Sequence, residues 1–167
     1  MKRLILTIAL VLGLSVAASA QNYAVVNSEK IFKSIEAYNA AIKQLDELAD
    51  GYQKQVDEKF AEVERLYNAY MARRSSLSAA SQQANEENIL KKEQEATEFQ
   101  ESLFGTEGEL MKRRLELIQP IQKRVFEAID KYAQQKGYDM VIDIATTALP
   151  YVSPKIDITE EIIKLVK

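Results

Sequence analysis

Apolar residues recur with helical spacing over most of this chain, and they fall into two long stretches. From Ile31 they stand at Ile35, Tyr38, Ile42, Leu45, Ala49, Tyr52 and Val56. The steps alternate between four and three, the a/d pattern of a coiled-coil seam. Val56 to Phe60 adds a second step of four, a stutter that relaxes a left-handed supercoil, and Val63, Tyr67 and Tyr70 continue the seam. Glu, Asp, Lys, Arg and Gln in mixed order fill the positions between, as on a solvated face. A second helix is predicted over 79–136. Its seam is weak through Ala96, Phe99, Leu103 and Leu110, then sharpens at Met111, Leu115, Ile118, Val125, Ile129 and Tyr132. Gly105, Gly108 and Pro120 predict a bend in this helix rather than a break. An interior Gly costs only about 1 kcal/mol, and an interior Pro kinks a helix. Gly137 stands where a left-handed C-cap belongs.

The stretch RRSSLSAASQQANEE lies between the two helices. Its serines compete with the backbone for hydrogen bonds and favour caps and turns, so a turn is expected at 75–78, with Ser78 as the N-cap of the second helix. Two β-like runs flank the helices. YAVVN occupies 23–27, and in GYDMVIDIATTALPYV (137–152) Val141, Ile142 and Ile144 predict one strand and 149–152 a shorter second one. The first run is the candidate partner for the later ones. For the two runs to be neighbours, the helical excursion must fold back near its midpoint, about residue 82, which lies close to the serine-rich turn. Arms of about 48 residues give an antiparallel hairpin roughly 70 Å long. SPKIDITEEIIKLVK then predicts a short terminal helix, capped by Asp157 with Glu160 three residues on, or by Thr159. Its apolar residues, Ile158, Ile162, Ile163, Leu165 and Val166, are expected to cover the sheet.

The first twenty residues stand apart. Met1-Lys2-Arg3 is a short basic start, LILTIALVLGLSVA an apolar run, and Ala18-Ser19-Ala20 a small-x-small site. This is the three-part pattern of a signal peptide over 1–20, with cleavage expected between Ala20 and Gln21. The run is short for a membrane span of roughly 20 apolar residues. Export is therefore expected, and with no cysteine in the chain stability must come from packing or from other chains.

Charge and chemistry narrow the function. The net charge is −3, and removing Lys2 and Arg3 leaves 20 basic against 25 acidic residues, which argues against a nucleic-acid partner. There is no His and no Cys, which takes away the commonest metal ligands, acid–base groups and nucleophiles. Asp139, Asp143 and Asp157 form the one candidate carboxylate cluster, but no companion motif makes it a metal or acid–base site. They read instead as residues that edge a strand and cap a helix. No GxxxxGK[ST] loop occurs. The chain is thus expected to be no enzyme and to carry no cofactor or metal.

Outside the hairpin, 21–27 and 137–167 leave 38 residues, below the roughly 40 at which a core stands alone. Val25 with Val26, and Val141 with Ile142, place apolar groups on both strand faces, so one face calls for another chain. The expected fold class is α+β, mostly α: a long antiparallel coiled-coil hairpin projecting from a small β-containing body that associates with copies of itself. The expected partition is 1–20 for the signal peptide, 21–32 with 121–167 for the body, and 33–120 for the arm. The association residues are Val25, Val26, Ile31, Phe32, Val141, Ile142 and Ile144.

YAVVNSEKIF, the long charged hairpin, GYDMVIDIATTALPYV and DITEEIIKLVK together resemble the Skp/OmpH family of periplasmic chaperones. The resemblance runs through the whole mature chain in order, and its specific parts are the two ends. It implies a jellyfish-like homotrimer in a Gram-negative periplasm. In such a trimer a β-rich body joins three subunits, and three hairpins enclose a cavity that holds unfolded outer-membrane proteins without ATP. One departure stands out. The best-studied members are strongly basic, with positive tentacles linked to negatively charged clients and lipopolysaccharide, whereas this chain is acidic. Its cations form doublets and a triplet (Arg73-Arg74, Lys91-Lys92, Lys112-Arg113-Arg114, Lys123-Arg124) among as many carboxylates, as on a solvated face with i,i+4 pairs. Contact with a membrane stays open, but lipopolysaccharide binding is not expected.

Tyr67, Tyr70, Met71, Leu77, Phe99, Phe104 and Met111 lie along the arms. Most are read as hairpin packing and some as client contacts, since aromatic and Met side chains give adaptable, weak, multivalent binding. The expected function is an ATP-independent periplasmic holdase for unfolded outer-membrane proteins. The alternative is a structural coiled-coil spacer or adaptor of the envelope. An adaptor calls for a continuous hydrophobic seam or a folded module at the arm tip, whereas this tip is rich in Ser and Ala.

Overall fold

The computed structural model describes residues 22–167; the expected leader and its cleavage point at Ala20 and Gln21 lie outside the described residues. In chain order the elements are β1 (Tyr23–Val26), α1 (Ser28–Lys33), α2 (Glu36–Arg73), a 3-10 turn (Arg74–Ser76), α3 (Ala79–Phe104), α4 (Glu109–Lys136), β2 (Met140–Asp143), a second 3-10 turn (Pro154–Ile156) and α5 (Thr159–Val166). The class is α+β, mostly α, as expected. Two compact units divide the chain: 22–31 with Glu127–Leu165, and Phe32–Phe126 with Val166–Lys167.

In the first unit β1 and β2 pair in parallel, with Tyr23 opposite Met140 and Val26 opposite Asp143. A parallel pair needs a long crossover between its strands, and the helices supply it. The other side of β1 is also engaged. The Ile158 N–H donates to the Val25 carbonyl (3.0 Å), and Val25 bridges Asp157. β1 is therefore the inner strand. Ala24, Val25 and Val26 are buried, while Val141, Ile142 and Asp143 of β2 are half-buried. This third segment and α5 supply what a lone strand pair lacks. Ile158, Ile162 and Ile163 are buried, but Leu165 is exposed, contrary to expectation. The cap of α5 is Asp157, whose Oδ1 accepts from the Thr159 N–H (2.9 Å) and hydroxyl (2.5 Å). The Thr159 oxygen accepts in turn from the Asn27 N–H at 2.9 Å.

The second short strand expected at 149–152 does not form. Pro150 and Pro154 lack the N–H that a ladder requires, and Tyr151 is 80% exposed. Ile144 falls just beyond β2, and its N–H donates to the Val26 carbonyl (2.8 Å). α4 ends in a Schellman motif. Gly137 takes φ +69°, the Tyr138 N–H reaches the Ala133 carbonyl (3.0 Å), and the Gly137 N–H reaches that of Gln134 (3.3 Å).

In the second unit the helix expected to run on from Ile31 is interrupted at Ser34 and Ile35. Ile35 is extended (φ −92°, ψ 116°) and caps α2 without a side-chain hydrogen bond. Its side chain is buried, and burying an Ile contributes more than the ~1 kcal/mol of a polar cap. The Asn39 side chain meets the Lys33 carbonyl (2.9 Å) at the end of α1. α2 has 38 residues, about 57 Å at 1.5 Å each. The chain then turns. The Ser78 Oγ accepts from the Ser81 N–H (3.3 Å), and Gln82 Nε2 donates to the Arg74 and Leu77 carbonyls, 3.1 Å each.

α3 returns antiparallel to α2. Tyr52 meets Phe104 (6.3 Å between ring centroids), the Lys59 ammonium lies over the Phe99 ring (4.8 Å), and Tyr70 bonds Glu86 (2.5 Å). Eighteen residues forward on α2 thus match eighteen back on α3. Val56 and Ala96 are buried. Ala41, Leu45 and Ile118 form a second core with Tyr38, Ile42, Leu110, Leu117 and Ile121. Phe60 leaves the seam and is partly exposed. Each step of four overshoots a turn by about 40°, and two in succession carry it off the face.

The bend expected in the second helix is a true break. α3 ends at Phe104 and α4 starts at Glu109. Between them the Gly108 N–H closes a turn on the Gly105 carbonyl (2.9 Å). A Cβ on Gly108 would lie 2.7 Å from the Leu103 carbonyl oxygen, so the chain passes too close for any side chain there. Helix propensity alone scores such a glycine as a mild cost and is blind to the turn. Pro120 stands inside α4 without ending it.

Candidate functional site

The carboxylates considered for chemistry hold backbone. Asp139 Oδ2 accepts from the Asn22 N–H (2.8 Å), while the Asn22 amide donates to the Gly137 carbonyl (3.2 Å). Asp143 Oδ1 accepts from the N–H groups of Ser28 (3.1 Å) and Ala145 (3.0 Å), so it caps α1 and closes the turn after β2. Partial burial pushes the Asp143 carboxyl up, but the hydrogen bonds from Ser28 and Ala145 outweigh it and hold the group below the ordinary aspartate value. Asp157 caps α5. Among the described residues no group of carboxylates is placed to hold a metal ion, and no helix is long and apolar enough to cross a membrane.

The expected association residues divide into two sets. Val25, Val26 and Ile31 are buried within their own chain. Phe32 is half-buried, stacked on Tyr38 (5.3 Å) and edge-on to Phe126 (6.4 Å). Val141, Ile142 and Ile144 remain half-open, and Tyr23, Met140, Leu149 and Tyr151 are exposed beside them in sequence or across the ladder. The apolar surface not used inside this unit therefore belongs to β2 and the segment after it. β2 also has strand β1 on one side only, which leaves an edge open to pairing.

The arm candidates divide in the same way. Tyr67 and Met71 are exposed and, with Leu90, line a groove of about 450 Å³ at the hairpin tip. Tyr70 is the exception. It is only 3% exposed and donates its hydroxyl to Glu86. That hydrogen bond and burial hold its ionisation above the ordinary tyrosine range against the lowering effect of Arg74. Tyr70 is hairpin packing. Leu77 and Phe99 are half-buried. Phe104 and Met111 are partly exposed along a smaller groove, about 220 Å³, beside the glycine turn.

Three exposed apolar residues were missed or misplaced by sequence reading: Leu90 (64% exposed), Leu115 (52%) and Phe126 (57%). The adjacent pair Ile89-Leu90 carried a usable signal, since neighbours on a helix cannot both face one seam. Leu115 was placed on the seam, but Leu117 and Ile118 take that position.

Long paired helices with exposed apolar side chains, and carboxylates used as caps, define a binding protein rather than an enzyme. The family model for OmpH-like outer membrane proteins matches residues 22–166, and the chain belongs to that family. It is similar to Chaperone protein Skp of Yersinia enterocolitica, 29% identical over 160 residues, covering 93% of this chain and 94% of that one. Chaperone protein Skp of Pectobacterium atrosepticum is 28% identical over 162 residues, covering 93% and 94%. A solved OmpH-like chain from Caulobacter crescentus shares the fold, with a TM-score of 0.63 at 11% identity over 87% of this chain and 83% of that one.

Proposed function

We propose that this chain is an ATP-independent holdase chaperone of a Gram-negative periplasm, which binds unfolded outer-membrane proteins between helical arms and keeps them from aggregating. The observation that carries this reading is the tip groove of the hairpin, where Tyr67, Met71 and Leu90 are exposed with no partner inside their own unit large enough to cover them. Such side chains offer weak, non-directional contacts that suit a client without fixed structure. Several arms around one client raise the effective concentration of each contact, and no nucleotide is needed to hold it. The named Skp relatives support the chaperone class. Assembly as a homotrimer is part of the proposal, through the half-open face of Val141, Ile142 and Ile144 with Met140.

The test is aggregation of a denatured outer-membrane barrel protein diluted into buffer, followed by light scattering. The processed chain in stoichiometric excess should suppress scattering, and Tyr67→Ser with Leu90→Ser should suppress it less while leaving helicity unchanged. Undiminished scattering with the unmodified chain would sink the holdase reading.

A further inference from the structure

The strongest charge asymmetry in the chain lies on α4. Between 112 and 124 five cations (Lys112, Arg113, Arg114, Lys123 and Arg124) accompany one carboxylate, Glu116. α3, by contrast, carries six carboxylates and two lysines. Arg113 is spent on Glu109 (3.4 Å) and Glu116 (3.0 Å), and Arg124 on the Val166 carbonyl. Among the described residues no ion pair engages Lys112 or Arg114.

These two cations border an apolar stripe. At about 100° per residue, Met111, Leu115 and Phe126 fall within an arc of about 60°, and all three are exposed. Met111 and Leu115 are one turn apart, and Phe126 follows Leu115 by eleven residues, a repeat that stays in line along a straight helix. Lys112 lies roughly 70° to one side of the stripe and Arg114 about 90° to the other. The face turned to the hairpin core is a different one, formed by Leu110, Leu117, Ile118 and Ile121. α4 therefore has two apolar faces, and the intrachain core uses only one.

We infer that the second face of α4 is a docking surface for an acidic amphipathic helix of a partner protein, a role beyond holding unfolded chains. The charge arrangement selects the occupant. Cations on both margins of an apolar stripe complement a segment whose apolar stripe has carboxylates along both margins. A helix presents that arrangement, whereas a strand puts its polar residues on the opposite face. A second α4 fits poorly, because it would bring cations against cations. From Met111 to Phe126 the stripe spans about 22 Å, room for about four turns of a partner helix.

The experiment uses the processed chain, residues 21–167, and two fluorescent synthetic helices with the same leucine stripe, one flanked by Glu and the other by Lys. Anisotropy should show the Glu-flanked helix binding about tenfold tighter, in the range expected for one or two charge contacts beside a buried Leu. Leu115→Asp, at an exposed position, should abolish binding with helicity intact. Lys112→Glu with Arg114→Glu should reverse the preference between the two helices. Equal binding of both helices, or binding indifferent to Leu115→Asp, overturns the proposal. It is also overturned if phosphatidylglycerol vesicles bind this face and the helices do not, or if Leu115→Asp alters the sedimentation of the chain alone, which would make the face a self-contact. Light scattering with the barrel client reads the holdase activity separately, and Leu115→Asp should leave that suppression in place.

Discussion

The two units of this molecule are stabilised in opposite ways. In the strand-pair unit the side-chain bonds that matter join residues far apart in sequence: Asn22 to Asp139 at a separation of 117, Ser28 to Asp143 at 115, and Asn27 to Thr159 at 132. In the hairpin unit most join neighbours, such as Gln53 to Asp57, Gln83 to Glu87 and Gln94 to Glu98, each four apart. Its ion pairs follow suit, with Lys43–Glu47 and Lys92–Glu95 on exposed helix surface. The strand-pair unit thus concentrates its stability in a few buried aliphatics and a few caps, and each of these closes a loop of over a hundred residues. The hairpin spreads its stability along a seam with local support at every turn. A change at one position should therefore cost much in the first unit and little in the second.

That contrast can be broken in order of expected effect. Ile162 is fully buried, and Ile162→Ala should cost about 2–5 kcal/mol by urea denaturation, from lost transfer energy and the cavity left behind. A cost under about 1 kcal/mol would show that the strand-pair unit is not the concentrated element described here. Asp143 comes next. Its folded value is depressed, so its contribution is present above the ordinary aspartate value and is lost as pH falls through the lower folded one. Asp143→Ala should cost about 1–2 kcal/mol at pH 7, as the loss of a helix cap does. It should also flatten the part of the stability–pH curve that falls below about pH 4. An acid limb unchanged in the variant would mean that other carboxylates carry it. The smallest effect sharpens the other side of the comparison. Ser78→Ala removes the N-cap of α3 and should cost about 0.5–1 kcal/mol, read as fraying of the tip by hydrogen exchange while the strand-pair amides stay protected. Exchange rising equally in both units would show that they unfold together.

Much of the local structure was legible. Ser78 as a cap, the turn after Arg73, the left-handed Gly137 and the pairing of YAVVN with the MVID segment all follow from residues whose backbone preferences are strong and whose signals are short-range. The misreadings share one cause. The seam was taken to run unbroken through Ser34 and Ile35 and through Gly105 to Gly108. In each case the break is set by contacts with distant chain or by a close backbone approach, and a propensity scale averages over both. Likewise Tyr70 and Leu90 are both apolar residues near one tip. One is buried because Glu86 on the returning helix accepts its hydroxyl, and the other is exposed because Ile89 beside it takes the inward position. Periodicity shows that a helix has an apolar face, but it does not rank two adjacent apolar residues.

The sequence by itself determined the class of the molecule: two long seams, a serine-rich turn near their midpoint, a strand at each end, and no residues suited to metal or acid–base chemistry. Those features follow from local periodicity, capping and composition, which act over a turn or two of chain. Only the tertiary structure decided that the strands run parallel, that β1 is the inner strand, and that the carboxylates of Asp139, Asp143 and Asp157 serve as caps. It alone also showed that Leu90, Leu115 and Phe126 are the apolar side chains left in solvent. Each of these depends on which distant residue arrives alongside, and that is settled by packing and by satisfying buried backbone groups, which no local pattern encodes.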